Sequence, residues 1–204
     1  MARRTRDPEC RHRLTAGAWR LVARHGVEAT TVRAIAAEAG VSTGSVTHYF
    51  EDKAELMSSV LRYNNKLATE QVLAAVGDAT GLEAVRRGVE ALLPLDEARL
   101  RTWTVWLAFW GDRAAHELTA KEGGGAGYGA LTGWLTRVFT DAVAAGELPS
   151  TVDPRHETDR ILVLLGGLGL LTGGSPALLG QVARLSRRML ADHLAQLSPA
   201  YAAG

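Results

Sequence analysis

Residues 32–50 of this 204-residue chain read VRAIAAEAGVSTGSVTHYF, and this stretch predicts two short helices joined by a tight turn. Ala36 is small enough to let a second helix approach the first. Gly40, four positions later, can take the positive φ that such a turn requires without steric cost. Val41 and Val46 then fill the angle between the two helices. This spacing is typical of a helix-turn-helix, and the alternative is an ordinary helical hairpin.

The exposed face of the second helix is small and polar. Ser and Thr hydroxyls can reach base edges, and a glycine permits close approach of the backbone. In helix-turn-helix proteins the second helix lies in the major groove, with its N-terminal side chains near base edges and its flanks on phosphates. A purely structural hairpin has no need of such a face. The sequence therefore predicts that the residues near DNA are Thr43, Gly44, Ser45, Thr47 and His48.

Helical spacing of apolar residues extends over nearly the whole chain, so the sequence predicts an all-α fold of about nine helices. The first helix should end at Gly26, where a glycine cap is favoured. Thr31 and Ser42 are the expected N-caps of the next two helices, and Asp52 with Glu55 resembles a capping box that opens a fourth. Two inward faces are predicted: Leu14, Ala18, Leu21 and Val22 on the first helix, and Val32, Ile35, Ala36 and Ala39 on the second.

The rest of the chain is punctuated by Pro94, by a GGGAG linker at 123–127 and by Pro149 and Pro154. The expected organisation is a basic N-terminal arm over residues 1–10, a domain with the helix-turn-helix over 11–56 and a larger helical domain over 57–204, which these breaks divide into separate helices. Six helices are expected from residue 53 onward, at about 53–76, 81–93, 96–117, 127–145, 155–172 and 176–197.

Composition excludes several classes of protein. A hydrophobic content of 47% is ample for a core, and the single cysteine, Cys10, allows no intramolecular disulfide. The N-terminal segment MARRTRDPECRHR is charged where a signal peptide is apolar. The longest apolar run, residues 161–171, is shorter than the roughly 20 residues of a membrane span. We therefore expect a cytoplasmic protein that does not enter the membrane.

The net charge of +1 hides an uneven distribution. Residues 1–53 carry nine Lys or Arg against six Asp or Glu, so the N-terminal part is basic while the remainder is slightly acidic. Arg3, Arg4, Arg6, Arg11 and Arg13 concentrate this charge at the very end of the chain. Of these, Arg3, Arg4 and Arg6 could form an arm that reaches phosphate or the minor groove, and plain disorder is the alternative.

Residues 11–60 resemble the N-terminal domain of the tetracycline-repressor (TetR) family. The resemblance rests on TTVRAIAAEAGVSTGSVTHYFEDKAEL at residues 30–56: a Thr-rich start, an IA pair, AGVS, a small-residue helix and a closing Tyr-Phe followed by a Lys. It implies three DNA-binding helices followed by a helical domain that binds a small molecule and dimerises. The implied function is a transcriptional repressor that binds a palindromic operator as a homodimer and is released by an inducer.

The same resemblance implies roles for single residues. Arg33 matches a base-reaching position, and its guanidinium can bond guanine O6 and N7. Thr43 and Ser45, which follow the cap residue Ser42, match base contacts. Thr47 stands where the family very often has an aromatic residue, so Tyr49 or His48 has to replace the usual tyrosine contact to phosphate. Positions that match phosphate contacts are Thr31, Thr47, His48, Tyr49 and Lys53.

Two of these assignments have alternatives. His48 could be a partly exposed surface imidazole. Tyr49 could pack against the first helix together with Phe50, which we assign to the core.

An unusual density of large aromatic residues lies on one predicted helix, at Trp103, Trp106, Phe109 and Trp110. Such a stripe is more often core than ligand pocket. The surrounding residues 93–110 (LPLDEARLRTWTVWLAFW) resemble the BetI-like branch of the TetR family, which implies an inducer cavity among the middle helices. An aromatic cage can hold a quaternary ammonium by cation–π attraction, so the expected inducer is a small organic molecule, either aromatic or a quaternary ammonium.

The last two helices are predicted to form the dimer. Their apolar residues recur at helical spacing, and Gly166, Gly167 and Gly169 permit close helix approach. The alternative is that these residues serve only the internal core. The predicted interface consists of Ile161, Leu164, Leu165, Leu168, Leu178, Val182, Leu185 and Met189.

Other function classes lack their motifs. The glycines of ILVLLGGLGLLTGG do not complete a dinucleotide-binding pattern, and the dispersed histidines have no metal-ligand spacing, so neither a cofactor nor a metal is predicted. No nucleophile motif supports an all-helical enzyme, so we predict that the chain is not an enzyme. A helix-turn-helix adaptor without specific DNA binding remains a second alternative.

Overall fold

A computed structural model describes residues 7–111 and 126–198 of the chain. Over these ranges the secondary structure is entirely helical, which confirms the predicted all-α class. Arg3, Arg4 and Arg6, most of the predicted GGGAG linker and the C-terminal end of the helix predicted at 96–117 lie outside the described residues. The helices are α1 (Pro8–Ala29), α2 (Val32–Ala39), α3 (Thr43–Tyr49), α4 (Lys53–Val76), α5 (Gly81–Leu92), α6 (Glu97–Trp110), α7 (Ala126–Ala144), α8 (Pro154–Gly174), a 3-10 turn (Pro176–Leu178) and α9 (Leu179–Leu197).

Local signals account for the ends of the N-terminal helices. Asp7 caps α1 by accepting the Glu9 N–H at 3.0 Å, and Pro8 occupies the first helical position, where its missing N–H costs nothing. Residues 8–10 of the predicted arm are therefore the first turn of α1. Gly26, at φ 79° and ψ 176°, breaks the helix at the predicted position, and residues 27–29 add one further turn.

The described chain divides into two compact units that interleave along the sequence. Unit 1 consists of the described residues within Met1–Lys66 and Thr104–Gly125, and unit 2 of those within Leu67–Trp103 and Ala126–Gly204. Helices α4 and α6 therefore contribute residues to both units. The domain ranges 11–56 and 57–204 remain predictions.

The core of unit 1 is built from the predicted inner faces of α1 and α2, with one exception. Val32 is exposed at the first position of α2 instead of facing inward. Phe50 is buried as predicted. The buried apolar residues of this core are Leu14, Ala18, Leu21, Val22, Val27, Ile35, Ala36, Val46, Tyr49, Phe50, Leu56, Met57, Val60, Leu61, Val105 and Phe109.

Unit 2 depends on close packing of tryptophans against glycines. A Cβ added to Gly88 would overlap the Trp134 ring, and one added to Gly169 would overlap Trp103, so only glycine permits these helix contacts. The Glu147 carboxylate accepts the Leu82 N–H at 3.0 Å near the start of α5, where helix N–H groups lack partners within the helix. No single helix among the described residues is long and apolar enough to cross a membrane; α8 and the segment from Pro176 to Leu197 meet the criterion only as a pair bent by 118°.

Candidate nucleic-acid interface

Helices α2 and α3 are joined by the tight turn that the sequence predicts. Gly40 adopts the left-handed conformation at φ 67° and ψ 35°. The Val41 N–H then bonds the Ala36 carbonyl at 2.9 Å, which closes the end of α2. Thr31 caps α2 by accepting the Ala34 N–H at 3.2 Å, and Ser42 caps α3 by accepting the Ser45 N–H at the same distance. Both predicted caps are confirmed. Together with the turn they fix where α3 begins and its direction relative to α2.

Helix α3 is divided into an inner side and an outer side. Val46 is buried against the unit 1 core, while Thr43, Gly44, Thr47 and His48 are exposed. A Cβ at Gly44 would meet only the Ser42 hydroxyl, at 3.7 Å, so the backbone is open to close approach here. The exposed polar face has the chemistry expected of a surface that contacts a DNA groove.

The hydroxyl groups of this surface are not equally free. Ser42 Oγ and Ser45 Oγ lie 3.0 Å apart, and Thr47 donates its hydroxyl to the Gly44 carbonyl at 3.2 Å. Thr43 is exposed, and its side chain makes no hydrogen bond within residues 7–111 and 126–198. Among these hydroxyl groups Thr43 is therefore the one that is not already bonded within the described residues, whereas Ser42 and Ser45 hold the start of the helix.

Two cations near α3 are available for a polyanion. Arg33 on α2 and Lys53 at the start of α4 are both exposed, and neither forms an ion pair within the described part of the chain. By contrast, Arg20 and Arg24 on the neighbouring α1 are both paired with Glu38. Arg33 and Lys53 can therefore approach DNA without first breaking a bond inside the protein.

The Tyr49 side chain is mostly buried, and its hydroxyl is bonded inside the protein. The side chain is only 8% exposed, and its hydroxyl accepts the Asp7 N–H at 3.1 Å. Burial raises the pKa of this phenol above its ordinary value, so the ring stays neutral. These contacts favour the packing alternative for Tyr49. His48 remains exposed, with its ring edge-on to Tyr49 at 5.2 Å between centroids.

A contact missed by sequence reasoning lies at the other end of α3. Arg11 donates from Nη1 to the carbonyl of Tyr49 at 3.0 Å and from Nη2 to Glu55 Oε1 at 2.9 Å. Its guanidinium carbon lies 4.6 Å from the centroid of the Phe50 ring. The sequence marked Arg11 only as one of several basic residues, because its partners lie 38 and 44 positions away and no local pattern connects them.

The four aromatic residues of α6 do not share one environment. Trp103 is buried in unit 2, where its indole N–H donates to the Leu92 carbonyl, and Phe109 is buried in the core of unit 1. Trp106 is half-buried and donates to Asn65 Oδ1 at 2.8 Å, and Trp110 is 50% exposed. The rings of Trp106 and Trp110 are parallel within 3°, with centroids 6.2 Å apart. Only this pair combines aromatic faces with access from outside.

The residues predicted for the dimer interface fall into three groups by exposure. Ile161, Leu165, Leu168 and Val182 are buried inside unit 2, whereas Leu185 and Met189 are exposed; Leu164 and Leu178 are intermediate. Three further residues of α8 are more exposed than any of these: Val163 at 75%, Leu170 at 62% and Leu171 at 54%. A cleft of about 310 Å³ opens beside this surface between α8 and α9, lined by Arg160, Ile161, Leu164, Met189, Asp192, His193 and Gln196.

Comparison with protein families gives two matches along the chain. Residues 14–60 match the model described as bacterial regulatory proteins, tetR family, and residues 81–199 match the C-terminal domain of the BetI-type transcriptional repressor. The first match covers α2, the turn and α3, and the second begins with α5 and extends past the end of α9.

Individual relatives agree with the family matches. The chain is 26% identical to the HTH-type transcriptional regulator PksA of Bacillus subtilis (strain 168) over 78% of this chain and 77% of that protein. It is 36% identical to the HTH-type transcriptional regulator BetI of Serratia proteamaculans (strain 568), over 42% of this chain and 44% of that one. The match to BetI thus spans less than half of either protein.

Solved structures agree over nearly the full length. A transcriptional regulator from Rhodococcus sp. Rha1 superimposes with a TM-score of 0.77 at 25% identity, covering 92% of this chain and 97% of that one. A transcriptional regulator from Saccharomonospora viridis in complex with choline gives a TM-score of 0.75 at 26% identity, covering 91% and 95%. These similar proteins are regulators rather than enzymes, as the sequence predicts.

Proposed function

Because the chain belongs to the tetR family of bacterial regulatory proteins, with a C-terminal part of the BetI type, we propose that it is a repressor. It binds a palindromic operator as a homodimer in the cytoplasm and is released by a small-molecule inducer. The observation that carries the proposal is the arrangement of α3. Its buried side is fixed to the core through Val46, and its opposite side exposes Thr43, Gly44, Thr47 and His48.

Specific readout is assigned to the exposed residues around α3. Thr43 and Arg33 have donors that are free to bond base edges, and arginine can bond guanine at two atoms. Lys53 and His48 flank them and contact phosphate, with Thr31 and Thr47 as further hydroxyls at the edge of this surface. The paired serines, Ser42 and Ser45, serve the helix cap as well as the DNA.

Dimerisation is assigned to the exposed apolar surface of α8 and α9. Five large apolar side chains on these two helices are exposed to solvent in the single chain: Val163, Leu170, Leu171, Leu185 and Met189. Gly166 and Gly167 lie among them, and a Cβ at either would meet nothing within 4 Å. Burying such a surface against a second copy gives the two-fold symmetry that a palindromic site requires.

The inducer is assigned to the accessible aromatic pair, Trp106 and Trp110. The similar regulator from Saccharomonospora viridis was solved in complex with choline, and a quaternary ammonium binds aromatic faces by cation–π attraction. We therefore propose a small organic cation of this kind as the inducer of the present chain. Trp103 is buried in unit 2 and Phe109 in the core of unit 1, so neither is proposed to contact the ligand.

The DNA-binding proposal is tested by selecting bound fragments from random DNA and measuring affinities by fluorescence anisotropy. We expect a palindromic site. Arg33→Ala should lower specific affinity by about 1–3 kcal/mol and relax preference at one base position. Lys53→Ala should weaken binding to all sequences alike and reduce the slope of log affinity against log salt by about 0.9.

The matched control is Arg155→Ala, which removes an exposed arginine at the start of α8 in unit 2 and should leave both measurements unchanged. Identical specificity profiles for the Arg33 and Lys53 variants would contradict their assigned roles. Recovery of no preferred sequence by the wild-type chain would favour the adaptor alternative.

A further inference from the structure

We propose that Arg11 is a positioning residue for DNA readout: it holds the C-terminal end of α3 in place and makes no contact with DNA itself. The inference rests on the proposed function, because it concerns the helix that reads the DNA. It assigns a role in specificity to a residue outside the helix-turn-helix.

The end of α3 needs an anchor from elsewhere in the fold. The helix has only seven residues, and its last carbonyl groups have no partners within the helix. The Phe50 N–H bonds back to the Val46 carbonyl at 3.0 Å, and the Tyr49 carbonyl accepts Nη1 of Arg11 at 3.0 Å. A side chain of α1 therefore completes the last turn of α3.

Arg11 is itself held on a second side by α4. Its Nη2 donates to Glu55 Oε1 at 2.9 Å and lies 3.3 Å from Ser59 Oγ. The Arg11 and Glu55 side chains are 34% and 29% exposed, so solvent screens this pair less than a pair on the open surface. The planar, forked guanidinium can bond both neighbours in fixed directions, which the single ammonium of lysine cannot do equally well.

Glu55 extends the same network into the loop between α3 and α4. Its Oε2 accepts the Glu51 N–H at 2.7 Å, and its own N–H donates to Asp52 Oδ1 at 2.8 Å. The loop that follows α3 is thus tied to the carboxylate that Arg11 holds. Removing Arg11 releases the end of α3 and the loop together.

The position of these bonds argues against a phosphate contact by Arg11. Both terminal nitrogens are occupied inside unit 1, and the guanidinium lies against the Phe50 ring. Base readout requires side chains to be held within about 0.5 Å of the productive geometry. Ser42 fixes the first turn of α3 and Arg11 fixes the last. Loss of Arg11 should therefore lower the preference for the operator over unrelated DNA, while the electrostatic attraction to any DNA remains.

The first test needs no DNA. Hydrogen–deuterium exchange of the full-length chain compares wild type with Arg11→Met, Arg11→Lys and the control Arg13→Met, which changes an exposed arginine two positions along α1. We expect at least tenfold faster exchange at the amides of α3 and its following loop in Arg11→Met, a smaller increase in Arg11→Lys, and no change in α2 or in the control. Unchanged exchange of α3 in Arg11→Met would overturn the proposal whether or not the chain binds DNA.

The second test uses the selected operator and an unrelated duplex, at a temperature where every variant is fully folded by circular dichroism. Without the Arg11 bond, the end of α3 has to be ordered when the specific complex forms, and one hydrogen bond to a charged group is worth roughly tenfold or more in an equilibrium constant. We expect Arg11→Met to lose about tenfold in operator affinity, with its affinity for unrelated DNA and its salt slope unchanged. Equal losses on both duplexes with a flatter salt slope would show a direct phosphate contact and overturn the positioning role. If wild type itself shows no preference for any site, the proposed function fails, while the exchange result still decides whether Arg11 holds α3.

Discussion

Glu38 is a single side chain that ties α2 to α1. Its two carboxylate oxygens accept hydrogen bonds from Arg20 Nε and Arg24 Nη2, each at 2.7 Å. The bond from Arg20 is the largest cause of a lowered pKa for Glu38, and the bond from Arg24 is the next. Gly17 lies beside this contact, where an added Cβ would be 3.4 Å from Glu38 Cγ. The first of the two helix-turn-helix helices is thus held by a carboxylate that must stay ionised.

The lowered pKa predicts how stability depends on pH. The folded chain binds fewer protons at Glu38 than the unfolded chain does, in the window between the lowered pKa and the ordinary value of 4.5. The stabilisation is therefore present above pH 4.5 and is lost as the pH falls through the folded pKa. We expect Glu38→Gln to melt at a lower temperature than wild type at pH 7, with the difference shrinking below pH 4.5. A control, Glu28→Gln, changes an exposed carboxylate of the same helix pair. A Glu38→Gln deficit that stays constant as the pH is lowered from 7 to well below 4.5 would contradict the prediction.

At single positions, prediction from sequence succeeded where the cause is local. The conformation of Gly40 and the caps at Thr31 and Ser42 follow from a few neighbouring residues, so they could be read directly. Tyr49 and Arg11 could not be placed in this way. Their partners belong to helices that meet only after folding, so the same residue types are compatible with a DNA contact or with a bond inside the protein.

For helix α8 the sequence predicted the helix but not which of its sides is buried. The sequence predicted a helix here, but apolar residues occur on both of its sides, and spacing alone does not tell which side is inner. Ile161, Leu165 and Leu168 are buried, whereas Val163 and Leu170 are exposed. The glycines of this helix also lie on different sides of it. Gly169 lies against Trp103, while Gly167 faces open space.

These two glycines allow a matched pair of substitutions in one helix. Gly169→Ala should destabilise the fold, because overpacking costs about 1–3 kcal/mol and exceeds the roughly 1 kcal/mol gained in helix propensity. Gly167→Ala should keep the fold, because its Cβ enters open space, yet weaken self-association if this side of α8 approaches a second copy. Denaturant unfolding at low protein concentration measures the first effect and sedimentation equilibrium the second. The opposite pattern, with Gly167→Ala unfolded and Gly169→Ala dimeric and stable, would show that the inner and outer sides have been exchanged.

For the whole molecule, the proposed repressor separates its tasks between the two units. The α3 surface belongs to unit 1 and the exposed apolar surface of α8 and α9 belongs to unit 2. Helices α4 and α6 contribute residues to both units, and α6 carries Trp106 and Trp110 just after the point where the chain passes from unit 2 to unit 1. A ligand at this pair acts on DNA binding only if it has different affinities for the DNA-competent and DNA-incompetent states.

Choline is the probe for this coupling. We expect titration with choline to change tryptophan fluorescence in wild type and in Leu73→Ala, which removes another exposed large side chain, but not in Trp110→Ala. Trp110 is preferred to Trp106 for this test because Trp106 packs against the unit 1 core and bonds Asn65. Removing the Trp106 side chain would therefore lower both ligand affinity and the stability of the fold.

Thermodynamic linkage makes the coupling testable in both directions. If choline favours the DNA-incompetent state by about 1–3 kcal/mol, operator affinity should fall by roughly 5- to 150-fold at saturating choline. The affinity for choline must then fall by the same factor when operator is present, because the two binding free energies share one coupling term. Anisotropy of labelled operator gives the first factor, and fluorescence titration with and without unlabelled operator gives the second. Choline binding that is equally tight with and without operator would exclude choline as the inducer. A choline response in Trp110→Ala as large as that of wild type would exclude the aromatic pair as its site.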